Sequence, residues 1–131
     1  MKLKISKILT SVPQFISLKK TKDLPAKIRY NLNKTGRNID QEIIEVNKAI
    51  SEKLEQLCDR DEEGKPLKEE NGNYKLSEEN LKKFSEEIKE LHNQEVEIYC
   101  TPISLSQNPA FGDNTEISDE VFEALDWLFV D

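Results

Sequence analysis

Apolar residues recur every three or four positions through long, otherwise charged stretches, and this leaves the chain few ways to fold. Ile28, Leu32, Ile39, Ile43, Val46, Ile50, Leu54 and Leu57 step by threes, fours and one seven. That spacing predicts an amphipathic helix of roughly thirty residues. A second run, Leu81, Phe84, Ile88 and Leu91, is spaced three, four, three. Ser77 precedes it as an N-cap, with Glu78 and Glu79 placed at the positive end of the helix dipole. Neither helix can bury one stripe alone, so the two are expected to pack antiparallel as a long helical hairpin with a coiled-coil-like seam. Gly36, with Thr35 and Asn38 beside it, marks where the first helix is expected to kink or break in two.

The tip between these helices, residues 58–76, is acidic and rich in turn signals. Gly64-Lys65-Pro66 and Asn71-Gly72 are both present, and the second suits a β-hairpin turn. At the start of the chain, Leu3 and Ile5 alternate with Lys2 and Lys4 as in a short strand. Helical spacing of Ile5, Ile8, Leu9, Val12, Phe15 and Ile16 follows or overlaps it, and Pro13 argues against a long helix. Asp23 and Pro25 suit the start of the next one. After the second helix the period turns to two: Val96, Ile98 and Cys100 alternate with Glu97, Tyr99 and Thr101. The charges of this segment complement those of the first strand. Lys2 and Lys4 are expected opposite Glu95 and Glu97, with Leu3 and Ile5 beside Val96 and Ile98. Residues 106–117 read as a loop. Ser118 then caps a short C-terminal helix carrying Val121, Phe122, Leu125, Leu128 and Phe129 on one face, with Trp127 nearby. The expected class is mainly α (α+β): the hairpin with its turn-rich tip, a small two- or three-stranded sheet joining the N-terminus to residues 95–105, and the terminal helix. By length this is a single domain, 1–131, with parts at 1–37, 38–93 and 94–131.

Charge is split along the chain. Residues 1–37 carry ten Lys or Arg and one acid, Asp23; residues 38–131 carry nine Lys or Arg and twenty-five acids. A basic head on an acidic body can pair with itself, with a copy, or with an anionic partner. Lys19, Lys20, Lys22, Lys27, Arg29, Lys34 and Arg37 are the candidate partner-binding cations, with Tyr30 or Phe15 as stacking groups were the partner a nucleic acid. The overall acidity disfavours nucleic acid. Trp127 and Phe129 are candidates for a docking helix that fills a partner's groove, against the alternative that they close the chain's own core.

Asp59, Asp61, Glu63 and Glu70 fit a calcium-loop pattern, with Gly64 at its sixth position. The longer Glu63, the missing N–H of Pro66 and the turn-like exit at Asn71-Gly72 argue for a solvated acidic turn instead, so no metal is expected. Two cysteines, Cys58 and Cys100, and one histidine, His92, offer neither a disulfide framework nor a zinc spacing. No cofactor and no enzymatic activity are expected. No run approaches the ~18–20 apolar residues of a membrane span, and the broken apolar start reads as mature protein with reduced thiols.

The opening MKLK, the LPAKIRYNLNK stretch before a long charged helix, the DEEGKP…ENGNYKL tip, the EVEIYCTPISLS strand and the closing ISDEVFEALDWLF resemble a family of small proteins encoded by tailed bacteriophages and prophages. The likeness spans nearly the whole chain and departs in a longer loop at Asn108–Thr115. It implies a viral origin and an accessory or assembly role, and it carries no catalytic residues. Three functions follow as expectations. The first is a non-enzymatic virion component or assembly factor acting by protein–protein contact, with a phage or host protein or a second copy as partner. Its place would be the host-cell cytoplasm or the virion. The second is an acidic inhibitor of a bacterial defence protein, occupying its nucleic-acid surface. The third is a regulator that binds nucleic acid through residues 1–37.

Overall fold

A computed structural model describes residues 1–109, 111 and 117–131; the middle of the loop expected at 106–117 lies outside them. The chain is mainly helical. Strand β1 (Lys2–Lys4) runs into helix α1 (Ile5–Lys19), followed by α2 (Ala26–Leu57), α3 (Glu78–Asn93), β2 (Glu95–Glu97), β3 (Ile103–Ser104), α4 (Asp119–Ala124) and β4 (Phe129–Val130). These elements fall into two compact units, Met1–Gln41 with Glu95–Asp131, and Glu42–Gln94. Helix α2 contributes residues to both.

In the first unit, β1 and β2 pair antiparallel, Lys2 opposite Glu97, Leu3 opposite Val96 and Lys4 opposite Glu95; the expected lysine–glutamate and Leu3–Val96 partners meet, but Ile98 sits against Met1 rather than Ile5. Leu3 points inward while both lysines are exposed. The ammonium that closes on Glu97 is the amino terminus of Met1, 2.9 Å from Oε1. Ile5 has already entered α1, and beyond Glu97 the Ile98 N–H still donates to the Met1 carbonyl at 2.8 Å. The sheet is two-stranded. A second pair, missing from the sequence reading, joins β3 to β4 in parallel, Ile103 beside Phe129 and Ser104 beside Val130.

Helix α1 runs straight through Pro13 for 15 residues, longer than expected. Pro13 sits on the exposed face, where water can satisfy the carbonyl left without a partner. The opposite face buries Ile5, Ile8, Phe15 and Leu18, and that burial outweighs the lost hydrogen bond. α2 begins with the Pro25 carbonyl accepting from the Arg29 N–H at 2.9 Å. Asp23 lies before it in a left-handed turn, φ 61°. Nor does α2 break at Gly36. A Cβ built there would lie 3.2 Å from Phe15 Cε1 and 3.1 Å from Lys19 Nζ. The glycine is a contact point where α1 lies close against α2.

Helix α4 packs on α1. It ends at Ala124, so the periodic run Val121, Leu125, Leu128 continues through a turn rather than along a helix. The core of this unit is full-sized, with Leu18, Leu32, Ile98, Leu125 and Leu128 among its most enclosed side chains.

The second unit differs. Its only buried apolar residues are Val46 and Cys58, and α3 has no buried residue at all. Ser77 caps α3 as expected, its Oγ accepting from the Asn80 N–H at 3.2 Å. Asn80 Nδ2 donates to the Leu57 carbonyl at 3.0 Å, and Lys53 Nζ pairs with Glu87 Oε2 at 2.8 Å. Of the expected seam residues, Ile43, Ile50, Leu54, Phe84, Ile88 and Leu91 are half-buried, and Leu81 is more exposed than covered. The tip is a small meander with two turns. Asp59 pairs with Leu67 and Lys75, and Glu69 N–H donates to Asn73. Gly64 and Gly72 supply φ values of 82° and 88°. Asp61 Oδ1 accepts from the Glu63 and Lys65 N–H groups, and Asn71 Oδ1 from Asn73 N–H, the Asx geometry such turns favour.

Candidate functional site

Several cations of residues 1–37 are engaged within the fold. Arg29 is structural: its guanidinium donates to the carbonyls of Lys19 and, at 2.8 Å, Thr21, where α1 ends. A cation there satisfies carbonyls that have no helical partner, so Arg29 leaves the partner-binding set. Lys7 pairs with Asp126 at 3.1 Å. Lys34 Nζ lies 4.7 Å from the ring centre of Tyr99 and 5.7 Å from that of Tyr30, held by both rings. Lys19 lies beside Gly36. Lys20, Lys22, Lys27 and Arg37 are exposed. Tyr30 remains on the surface, whereas Phe15 is core and cannot stack on a base.

Trp127 also belongs inside. It is 8% exposed, and its Nε1–H donates to Ser11 Oγ at 3.4 Å. The Ser11 hydroxyl lies 2.5 Å from the Lys7 carbonyl and 3.2 Å from that of Ala124. This knot ties α1 to the segment after α4. The docking-helix reading of Trp127 gives way to it. Phe129 stands in β4, with ring centroids 4.8 Å from Phe122 and 6.0 Å from Phe111. It is half-buried in an aromatic cluster rather than on a helix face.

Asp59, Asp61, Glu63 and Glu70 are spread along the tip. Asp61 and Glu63 lie at its first turn and Glu70 at its second. Among the described residues no three His, Cys, Asp or Glu side chains gather closely enough to hold a metal. Cys58 is buried with Sγ 3.2 Å from the Glu55 carbonyl. Burial pushes the Cys100 thiol above its ordinary pKa, which keeps it protonated and a poor nucleophile. No helix of the described residues is long and apolar enough to cross a membrane.

Two surfaces were not visible in the sequence. In the first unit a pocket of about 420 Å³ opens between α2 and the segment around β3. Asn31, Thr35, Thr101, Ser104 and Asn108 line it above an apolar floor of Ile28 and Leu128, and Lys27 is its one ionisable group among the described residues. Such a lining can hydrogen-bond a ligand but holds no acid–base pair. No motif spacing announces it, because its walls come from distant segments.

In the second unit one side of the stripe is charged. Lys53, Lys83, Glu86, Glu87 and Glu90 line a cleft of about 270 Å³. The other side is neutral along its centre, with Glu55, Glu78 and Lys89 at its outer edge. Ile44, Asn47, Ser51 and Leu54 follow one another at helical spacing on α2, as do Leu81, Ser85, Ile88 and His92 on α3. Ile44 is 59% exposed and Leu81 51%. In a chain of 34% charged residues, two neutral stripes with exposed aliphatic side chains stand out from an ordinary solvated face.

No protein family matches this chain, and no curated protein or solved structure does so either.

Proposed function

We propose that this chain is a non-enzymatic protein of a tailed bacteriophage or prophage that acts by protein–protein contact, as a virion component or an assembly or accessory factor. Its place is the host-cell cytoplasm or the virion. The viral assignment rests on the resemblance in segment layout. In this reading residues 42–94 are an antiparallel helical hairpin. Asn80 against Leu57 and Lys53 against Glu87 support it, since α3 residues climb as their α2 partners descend.

The observation that carries the proposal is the thinness of the second unit. Two buried apolar side chains, Val46 and Cys58, fall short of what a unit of that size needs to stand alone. A half-covered apolar stripe is the form a helix pair takes when another protein completes its core. The test is affinity capture from phage-infected bacteria with tagged wild type and with Ile44→Asp/Leu81→Asp. A phage or host protein, or the chain itself, should be retained by the wild type and lost by the variant. Retention unchanged in the variant would refute the assignment of this surface.

The exposed acids of the tip, Asp61, Glu62, Glu63, Glu69 and Glu70, favour a second reading. There the tip occupies the nucleic-acid surface of a bacterial defence protein, a mechanism that rests on charge. Competition by DNA for the captured partner would support it. A nucleic-acid regulator is the third reading; a DNA or RNA complex at physiological salt that weakens as salt rises would promote it.

A further inference from the structure

We infer that the neutral side of the helix pair in residues 42–94 is completed by the same side of a second copy, giving a four-helix bundle with two-fold symmetry. This rests on the hairpin reading above and names its partner.

Residues 42–94 hold nine Lys or Arg against fifteen Asp or Glu. A two-fold contact brings a patch against its own copy. On most faces of this unit that would set carboxylates against carboxylates. The centre of the face formed by Ile44, Asn47, Ser51, Leu54, Leu81, Ser85, Ile88 and His92 escapes the penalty, because none of these is an acid, a lysine or an arginine, and the charges at its outer edge, Glu55, Glu78 and Lys89, are of both signs. A strongly basic partner would find its complement on the acidic tip instead, and gains nothing from a neutral face.

Helical geometry puts the stripes on one side. Lys53 and Glu87 pair across α2 and α3 at 2.8 Å, which fixes the charged flank. At 100° per residue, Asn47 and Ser51 lie on the far side of Ile50 from Lys53, and Leu81 and Ser85 on the far side of Phe84 from Glu87. Both neutral stripes therefore flank the half-buried seam on the side away from that ion pair. Small polar residues between aliphatic ones, Ser51 and Ser85 above all, let helices approach closely.

Size sets the expected strength. α3 has 16 residues and is about 24 Å long. Two helices side by side are about 20 Å wide, so each copy offers about 480 Å². Two copies bury about 1,000 Å², the lower bound of a specific interface. The dimer should be reversible and concentration-dependent.

Sedimentation equilibrium of the full chain over a wide concentration range tests this, with Leu81→Lys and Ser85→Lys as variants on exposed positions. Circular dichroism reports whether each remains folded. The expected result is a monomer–dimer equilibrium that each lysine weakens about tenfold or more, at unchanged helix content. A monomer at every concentration overturns the inference, and so does a dimer indifferent to both lysines. The hairpin is tested separately by an amine-reactive cross-linker on mixed isotope-labelled and unlabelled protein. Lys53 and Lys83 line one cleft and should join within a single chain. That cross-link in a strictly monomeric protein removes the second copy and leaves the hairpin standing. Its absence within single chains removes both.

Discussion

Replacing Gly36 by alanine separates the fold described here from the one periodicity suggests. At an exposed helical glycine, alanine raises stability by about 1 kcal/mol through backbone entropy. Gly36 is different, because a Cβ there meets Lys19 Nζ at 3.1 Å and Phe15 Cε1 at 3.2 Å. The ammonium is the end of a flexible side chain and can swing away. Phe15 is 3% exposed and packed, so its ring cannot retreat to the 3.5–4.0 Å that carbon atoms prefer without moving its neighbours. Overpacking of this kind costs about 1–3 kcal/mol. The balance is a loss of about 1 kcal/mol for Gly36→Ala, and about 3 kcal/mol or more for Gly36→Leu, whose further carbons have nowhere to go. For a chain of this size that is a drop of about 4 °C for the alanine in a thermal melt. Adding Phe15→Leu should restore tolerance, with the two changes coupled by about 1 kcal/mol. A melting temperature that rises with Gly36→Ala, or strict additivity with Phe15→Leu, would refute the close approach of α1 to α2.

Ser11→Ala removes the acceptor for the single tryptophan's N–H and should cost about 1–3 kcal/mol, read from Trp127 fluorescence in urea. An unchanged midpoint would contradict the buried knot. Phe84→Ala should cost about 1.5–2.5 kcal/mol, half the usual figure for a buried phenylalanine, because α3 is only partly covered. A loss at the full value would mean the stripe has a better cover than this. Glu97 is held below the ordinary carboxylate pKa, first by the hydrogen bond from the amino terminus and then by its charge. A depressed folded pKa stabilises fully above the ordinary glutamate value, about 4.3, and this contribution fades as pH falls below it through the lower folded one. A carbon NMR titration giving Glu97 an ordinary glutamate pKa, or no change on acetylating the terminus, would contradict the pair.

What the sequence revealed and what it hid divide along the distance between partners. That Lys2 and Lys4 face Glu97 and Glu95 across Leu3 and Val96 was legible because complementary charges and a two-residue period specify it; the place of Ile98, against Met1 rather than Ile5, was not. Ser77 was legible as a cap because its bond to Asn80 is local. Gly36 was misread because a glycine in a helix looks the same whether it weakens the helix or admits Phe15. Arg29 was misread because charge counting cannot tell a guanidinium that closes α1 from one that meets a partner. The turn after Ala124 hid behind Leu125 and Leu128, which keep helical spacing while the backbone leaves the helix at Leu125, φ −109° and ψ 35°. Two-residue β4 then pairs with Ile103 across a long separation, a contact that no local pattern encodes.

In the function proposed above, the helices of residues 42–94 cover each other only in part and a protein surface completes them on their neutral side. Amide hydrogen exchange of the full chain, followed by mass spectrometry in a dilute and a concentrated sample, addresses it most directly. Residues 42–57 and 78–93 should exchange fast when dilute and gain protection on concentration, while residues 5–19 keep theirs in both. Strong protection of residues 78–93 in the dilute sample, unchanged on concentration, would show a helix pair already complete and would contradict the account.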